Sequence, residues 1–355
     1  MGQLPLWKRG QGKDPVGAYS CRDCRSSYRG RNAAPTEEKF CQEKRETRLD
    51  DMTGKKIKLL VLSGPTGSGK SSLAVNLAER IGGEIVNADS MQVYRGLDIG
   101  TAKPPAQDLA RVPHHLLNIV SPERDFTASD FRREAAAAIA DIDRRGKKAI
   151  VVGGTGLYIR ALLEGLVDSP AGDPELRRQF AEVPGEELLR RLSLVDPETA
   201  ARLHPNDRMR IIRALEVFMQ TGRPISAFRS EHAFSGTYYD ALKMAINVER
   251  QELYRRIDLR VEQMLQDGLV GEVRSLLASG YGRELKAMRS IGYKEITAYL
   301  AGETTLDEAV TLIKRDTRRY AKRQMTWFSR ENDIYWLEYP GRFATILGHV
   351  IEFFG

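Results

Sequence analysis

Short apolar runs and longer amphipathic stretches alternate along the chain from about residue 56. Ile57–Ser63, Glu84–Ala88 and Lys148–Val152 are brief apolar runs bounded by glycine or polar residues. Such runs suit strands buried on both faces of a parallel sheet. Between them, Ser71–Ile81 stops at Gly82-Gly83, and Thr127–Arg145 has an alanine-rich middle with Thr127 or Ser129 as its cap. Both predict helices, and strand–helix alternation predicts an α/β core. After the break loop Asp168–Pro174 the pattern becomes helical: Pro174–Glu182, Glu186–Leu194, Pro197–Leu203 and Asn206–Thr221. Lys243–Val248 reads as a return to the sheet, so residues 168–240 are expected to be an insertion. Helices are expected again at Arg250–Gln266, Leu269–Ser279 and Thr305–Ser329. In the last, Leu306, Val310, Ile313, Thr317, Tyr320, Gln324 and Trp327 recur every three or four residues and define one packed face with polar positions in it.

The junction after the first strand carries the clearest chemistry. Gly64, Pro65, Thr66, Gly67, Ser68, Gly69, Lys70 and Ser71 fit G-x-x-x-x-G-K-[ST], with a strand before and a helix after. Glycines let the backbone curl so that N–H groups point inward, and the helix N-terminus adds partial positive charge. Lys70 is expected to neutralise terminal phosphate oxygens, and Ser71 to hold Mg²⁺, the expected cofactor. The motif specifies a diphosphate or triphosphate and does not by itself specify ATP. The expected fold is therefore α/β: a P-loop NTPase-like parallel-sheet core over 52–167, a helical insertion domain over 168–240, and over 241–355 the remainder of the core with a basic helical C-terminal region.

Two further loops belong beside this cradle, because ligands in open parallel sheets sit beyond the carboxyl ends of the strands. Asp89 follows the second strand. It reads either as a carboxylate that organises magnesium or as a general base for a substrate at the phosphate end. Gly153-Gly154-Thr155-Gly156 follows the third strand. It reads either as a tight turn or as a close backbone approach in which Thr155 donates to a phosphate oxygen. The pair His114-His115 is expected to be structural, since adjacent strand residues face opposite ways.

Composition narrows the partners. The chain has 355 residues, 41% hydrophobic, and its charge is 55 − 48 = +7, which favours a polyanionic partner. Lys314, Arg315, Arg318, Arg319, Lys322 and Arg323 cluster on one helix where Asp316 is the lone acid, as expected for contact with nucleic acid. No apolar run approaches the ~20 residues of a membrane helix, so no membrane partner is expected. The three cysteines, Cys21, Cys24 and Cys41, cannot form a disulfide framework and fit a cytoplasmic setting. Without a nearby fourth ligand they are not expected to hold zinc. Residues 1–51 show no apolar periodicity and are expected to be a disordered leader, with translation naturally starting at Met52.

Taken together, the motifs resemble the tRNA dimethylallyltransferase (tRNA isopentenyltransferase) family from about Lys56 to Trp336. The matching segments are GPTGSGKS, NADSMQVYRGLDIGTAKP (87–104), VPHHLL (112–117), VVGGTGLY (151–158), HPND (204–207), RALEVF (213–218), SIGYKE (290–295) and TRRYAKRQMTWF (317–328). The resemblance implies transfer of a dimethylallyl group from dimethylallyl diphosphate to N6 of adenosine 37 in the tRNA anticodon stem-loop, by a cytoplasmic monomer. It implies that the cradle grips the leaving diphosphate, with Lys70, Asp89 and Thr155 catalytic: Asp89 as the base and Thr155 at the diphosphate bridge oxygen. It implies tRNA contacts at Asp89, Ser90, Met91, Gln92, Thr155 and Arg177, at Met209, Arg210, Ile211, Ile212 and Arg213, and at Ser290, Ile291, Gly292 and Tyr293.

Two other classes would use the same cradle. A small-molecule kinase would consume ATP, and an RNA-binding NTPase would turn over nucleotide without a prenyl product. The kinase reading gives no pressing reason for the insertion or the basic helix, and the tRNA-type C-terminal motifs argue against a nearer relative, a prenyltransferase acting on free adenylate.

Overall fold

The structure is a computed structural model that describes residues 56–355 apart from 168, 233–238 and 332. The expectations for residues 1–51, for the start at Met52 and for the three cysteines lie outside the described residues. In chain order the elements are β1 (Ile57–Ser63), α1 (Lys70–Ile81), β2 (Gly83–Asn87), α2 (Ala106–Arg111), β3 (His114–His115), α3 (Ala128–Arg144), β4 (Lys148–Gly153) and α4 (Gly156–Glu164). Then follow α5 (Pro174–Ala181), α6 (Gly185–Val195), α7 (Pro197–Ala200), α8 (Arg208–Thr221), α9 (Ile225–His232) and β5 (Tyr239–Ile246). The chain ends with α10 (Arg250–Gln266), α11 (Leu269–Ala278), α12 (Tyr293–Leu300), α13 (Leu306–Phe328), β6 (Tyr335–Leu337) and α14 (Phe343–Phe354).

Six parallel strands form one sheet in the order β3-β2-β4-β1-β5-β6. β1 shows why its apolar run is unbroken. Leu59 and Val61 enter the core on one face while Leu60 and Leu62 enter the core on the other, as the two-residue strand period requires. The same two layers take Phe131 and Ile139 from α3 and Leu73 and Leu77 from α1. Thr127 closes a capping box with Asp130 at the start of α3, and Thr305 does the same with Glu308 at the start of α13.

The strands β2, β4 and β1 are neighbours, and their ends are level: Ser63 pairs with Gly153 and Asn87 with Val152. The loops after all three therefore open at one edge of the sheet. The insertion has its own core of Phe180, Leu188, Leu192, Ile211, Leu215 and Val217.

Several boundaries differ from expectation. The chain rejoins the sheet at Tyr239 rather than Lys243, pairing Ile57 with Tyr239, so β5 begins just inside the expected insertion. The segment from Pro197 is helical only to Ala200. His114 and His115 do face apart: His115 Nε2 meets Glu84 Oε2 at 2.8 Å, while His114 Nδ1 lies 2.8 Å from the Val112 carbonyl.

Candidate active site

The phosphate loop begins where β1 ends. Gly64, Gly67 and Gly69 all take positive φ angles, +147°, +82° and +92°, which side chains with a Cβ rarely adopt. Gly69 is the residue before α1, so the free N–H groups of that helix's first turn face the loop. Within the loop the Ser68 hydroxyl is buried without a hydrogen-bond partner. Lys70 folds back over the loop, its Nζ donating to the Pro65 carbonyl at 3.2 Å. Burial pulls Lys70 down to about 8, against the opposing pull of Asp89 and with a smaller push from Arg260.

Asp89 stands two residues beyond β2. Its Oδ1 accepts from the backbone N–H of Met91 at 2.8 Å and of Gln92 at 3.3 Å. Those two bonds fix the carboxylate and leave its other oxygen without a hydrogen bond among the described residues. The Ser90 N–H donates to Thr155 Oγ1 at 3.2 Å, which ties the Asp89 loop to the loop after β4. The side-chain amide of Gln92 donates to the carbonyls of Thr101 and Ala102 at 3.0 and 3.1 Å. Lys70, Asp89 and Thr155, drawn from three loops, thus meet at one edge of the sheet.

The structure adds residues that the motifs did not single out. Arg260 on α10 donates to Thr66 Oγ1 and to the Ala102 carbonyl, each at 3.4 Å, and feels the charge of Asp89. Burial lowers its pKa from the ordinary arginine value. Burial pushes the phenol of Tyr320 on α13 up to about 12, and the charge of Asp89 raises it too, so it stays neutral. The signal for Arg260 was present: Leu253, Ile257 and Val261 form the buried face of α10, and Arg260 lies three residues after Ile257.

Other expected contacts are sorted by burial. Ile211 and Ile212 are core positions of the insertion, where their apolar side chains pack inward. Tyr293 is fully buried, and its hydroxyl bonds Glu272. Gly292 donates its N–H to Glu295 Oε2 at 2.8 Å, and Ser290 Oγ donates to the Ala287 carbonyl at 2.6 Å, which leaves this segment as local structure around Ile291. Met209 and Arg210 are exposed on α8. Arg177 donates to the buried Glu216 at 2.6 Å, and Arg213 holds Ser169 Oγ at 2.9 Å, so both grip the root of the insertion.

The basic helix is corrected. Further acids come from α10 in addition to α13's own Asp316: Lys314 pairs with Glu262 at 2.7 Å and Arg318 with Asp258. Arg315 and Arg319 share Asp316. Among the described residues, Lys322 and Arg323 have no carboxylate partner.

Magnesium fits these donors. The first turn of α1 presents the exposed Ser71 hydroxyl, and Asp89 keeps a carboxylate oxygen with no hydrogen bond among the described residues. Those residues contain no cluster of three or more His, Cys, Asp or Glu that could cage a metal. One or two protein oxygens completed by ligand phosphates is the usual arrangement for Mg²⁺.

The fold is P-loop-like, and its glycine-rich loop is joined at one sheet edge by a carboxylate and a threonine from the loops after neighbouring strands. The family model described as IPP transferase matches residues 92–331. The chain belongs to that family. It is 85% identical over 299 residues to tRNA dimethylallyltransferase 1 of Citrifermentans bemidjiense, covering 84% of this chain and 98% of that one. It is 56% identical over 311 residues to the tRNA dimethylallyltransferase of Geobacter sulfurreducens, covering 86% and 100%. Among solved structures, the tRNA isopentenylpyrophosphate transferase of Bacillus halodurans matches with a TM-score of 0.64 at 38% identity, over 84% of this chain and 97% of that one. A eukaryotic dimethylallyltransferase acting on tRNA matches with a TM-score of 0.70 at 33% identity, over 79% and 74%.

Proposed function

We propose that the chain transfers the dimethylallyl group of dimethylallyl diphosphate to N6 of adenosine 37 in the tRNA anticodon loop, releasing diphosphate. The observation that carries this is the meeting of Lys70, Asp89 and Thr155 at one sheet edge in a chain so close to tRNA dimethylallyltransferases. A cradle for diphosphate beside a fixed carboxylate matches a reaction that loses pyrophosphate and deprotonates an amine.

The allylic C–O bond breaks as the N6–C bond forms, and positive charge spreads over the allyl unit meanwhile. The main demand is stabilisation of the departing diphosphate. The loop N–H groups, Lys70, Arg260 and the Thr155 hydroxyl supply donors for its oxygens. Ser71 would hold Mg²⁺ together with diphosphate oxygens, and the ion would supply further neutralisation of the leaving group. Adenine N6 is a weak nucleophile because its lone pair is delocalised, so Asp89 accepts its proton as the new bond forms. A base stacked in the anticodon loop is out of reach, and the adenosine is extruded into the site.

Contacts to the tRNA fall to Ser90, Met91 and Gln92 near the base, to exposed Met209 and Arg210 on the insertion, and to Lys322 and Arg323. The protein acts as a monomer in the cytoplasm. Among the described residues no helix is long and apolar enough to cross a membrane.

The test supplies labelled dimethylallyl diphosphate and, separately, γ-labelled ATP with bulk tRNA. Isoprenoid label in RNA, lost when Asp89 is replaced, is the expected result. Transfer or hydrolysis of the γ-phosphate with no isoprenoid in RNA would overturn the proposal in favour of a kinase or NTPase.

A further inference from the structure

We propose that Gln324 is a positioning residue that bolts the phosphate loop to the Thr155 loop, so that two separate strand ends act on one leaving group with a fixed relative geometry. The inference rests on the transfer reading given above. Gln324 lies on α13 and is 5% exposed. Its Oε1 accepts from the Thr66 N–H at 2.9 Å, and its Nε2 donates to the Gly154 carbonyl at 2.9 Å. One amide therefore joins loops separated by more than eighty residues. The partners settle which end of the amide is which, because a backbone N–H needs an acceptor and a carbonyl needs a donor.

The surroundings are shaped for this bridge. A Cβ at Gly154 would lie 2.0 Å from Gln324 Nε2 and 3.3 Å from the Gly64 carbonyl oxygen, so the loops approach as closely as glycine allows. The next residue is Thr155, whose hydroxyl accepts from the Ser90 N–H beside Asp89. A buried amide is costly unless both its ends are bonded, and an apolar side chain here would leave the Thr66 N–H and the Gly154 carbonyl without this partner. What the amide adds is register between the groups that meet the diphosphate. Misplacement by about 1 Å is enough to cost roughly a hundredfold in rate.

The test compares wild type with Gln324→Met, which keeps length and removes both bonds, and Gln324→Glu, which keeps the acceptor and loses the donor. For Gln324→Met, kcat falls by about 30- to 100-fold while KM for dimethylallyl diphosphate changes little. Hydrogen exchange of the segments 64–71 and 152–158 speeds up. The carboxyl introduced by Gln324→Glu regains its donor when protonated, and burial raises its pKa. The ratio of its activity to wild type therefore climbs as pH falls from about 8.5 towards about 6. The ratio removes the pH dependence that both proteins share. A filler role in the core gives a ratio that does not move with pH.

Wild-type kcat in Gln324→Met, unchanged exchange, or a flat ratio in Gln324→Glu would each overturn the proposal. An inactive wild type would sink the transfer reading instead, and the exchange measurement would still decide the bridge. If Gln324→Met does not fold, the near-isosteric Gln324→Glu decides it through the ratio and the exchange.

Discussion

The Tyr293 phenol donates a hydrogen bond to Glu272 Oε1 at 2.5 Å. The same carboxylate accepts from three successive backbone N–H groups, those of Asp98, Ile99 and Gly100, at 3.0, 2.7 and 3.1 Å. Burial and the neighbouring carboxylate push the phenol pKa well above the usual tyrosine value, so it stays a donor. The loop held in this way presents the carbonyls of Thr101 and Ala102 to Gln92, and that of Ala102 to Arg260. A bond formed far along the chain thus steadies the floor of the site.

Tyr293→Phe is expected to lower the free energy of unfolding by about 1.5–3 kcal/mol, the range for a hydrogen bond to a charged acceptor. Gly100→Ala is expected to cost more, because a Cβ there would meet the Tyr293 ring at 2.5 Å. Denaturant titration checks both. Binding of tRNA to Tyr293→Phe should match wild type, since the side chain is fully buried. A selective loss of tRNA affinity at full stability would restore a direct contact.

The sequence read well where a pattern is local. The run Ile57–Ser63, the glycines up to Lys70, and the placement of Asp89 and Thr155 after strands all follow from spacing within one stretch of chain. Arg260 lies beside a legible helix face, but its role and that of Gln324 did not follow, because each acts on loops more than a hundred residues away and depends on which helix packs where. Tyr293 and Ile211 mark the converse case. A motif names a segment, but only burial says which of its side chains face outward. The charge of α13 was misjudged for the same reason, since Asp258 and Glu262 lie on another helix. β6 pairs over only three residues, too few for a periodic signal.

Asp89→Asn separates chemistry from binding. The amide oxygen can still accept from the N–H groups of Met91 and Gln92, so the loop keeps its shape, but the side chain no longer takes a proton. Single-turnover transfer should slow by about 100- to 10,000-fold, the span typical of general-base catalysis. Affinity for tRNA, measured by filter binding, should stay near that of wild type. Full activity in this variant would move the base elsewhere.

Lys70 imposes a pH signature with two opposite signs. Its folded-state pKa of about 8 lies below the ordinary value of 10.5. Between those values the unfolded chain holds a proton that the folded chain has released, so this group's contribution to stability grows as pH rises through that window. Diphosphate favours the protonated lysine, so binding weakens over the same range. KM for dimethylallyl diphosphate should therefore rise as pH passes about 8. Lys70→Ala should show a high KM without that step, and a step of equal size in the variant would assign it to another group.

The salt dependence of tRNA binding should come from the unpaired end of the basic helix. Lys314 and Arg318 spend their charge on Glu262 and Asp258, whereas Lys322 and Arg323 are exposed without a carboxylate. Each phosphate contact adds roughly one unit to the slope of log affinity against log salt. The double variant Lys322→Ala, Arg323→Ala should flatten that slope by about 1–2. The double variant Lys314→Ala, Arg318→Ala should leave the slope nearly unchanged and instead loosen the contact between α10 and α13, seen as a lower melting temperature. Screening makes the distinction measurable, because charges more than about 10 Å from a phosphate contribute little at 0.1 M salt. Equal slopes for the two double variants would show that the helix acts through its total charge rather than through phosphate contacts at one end.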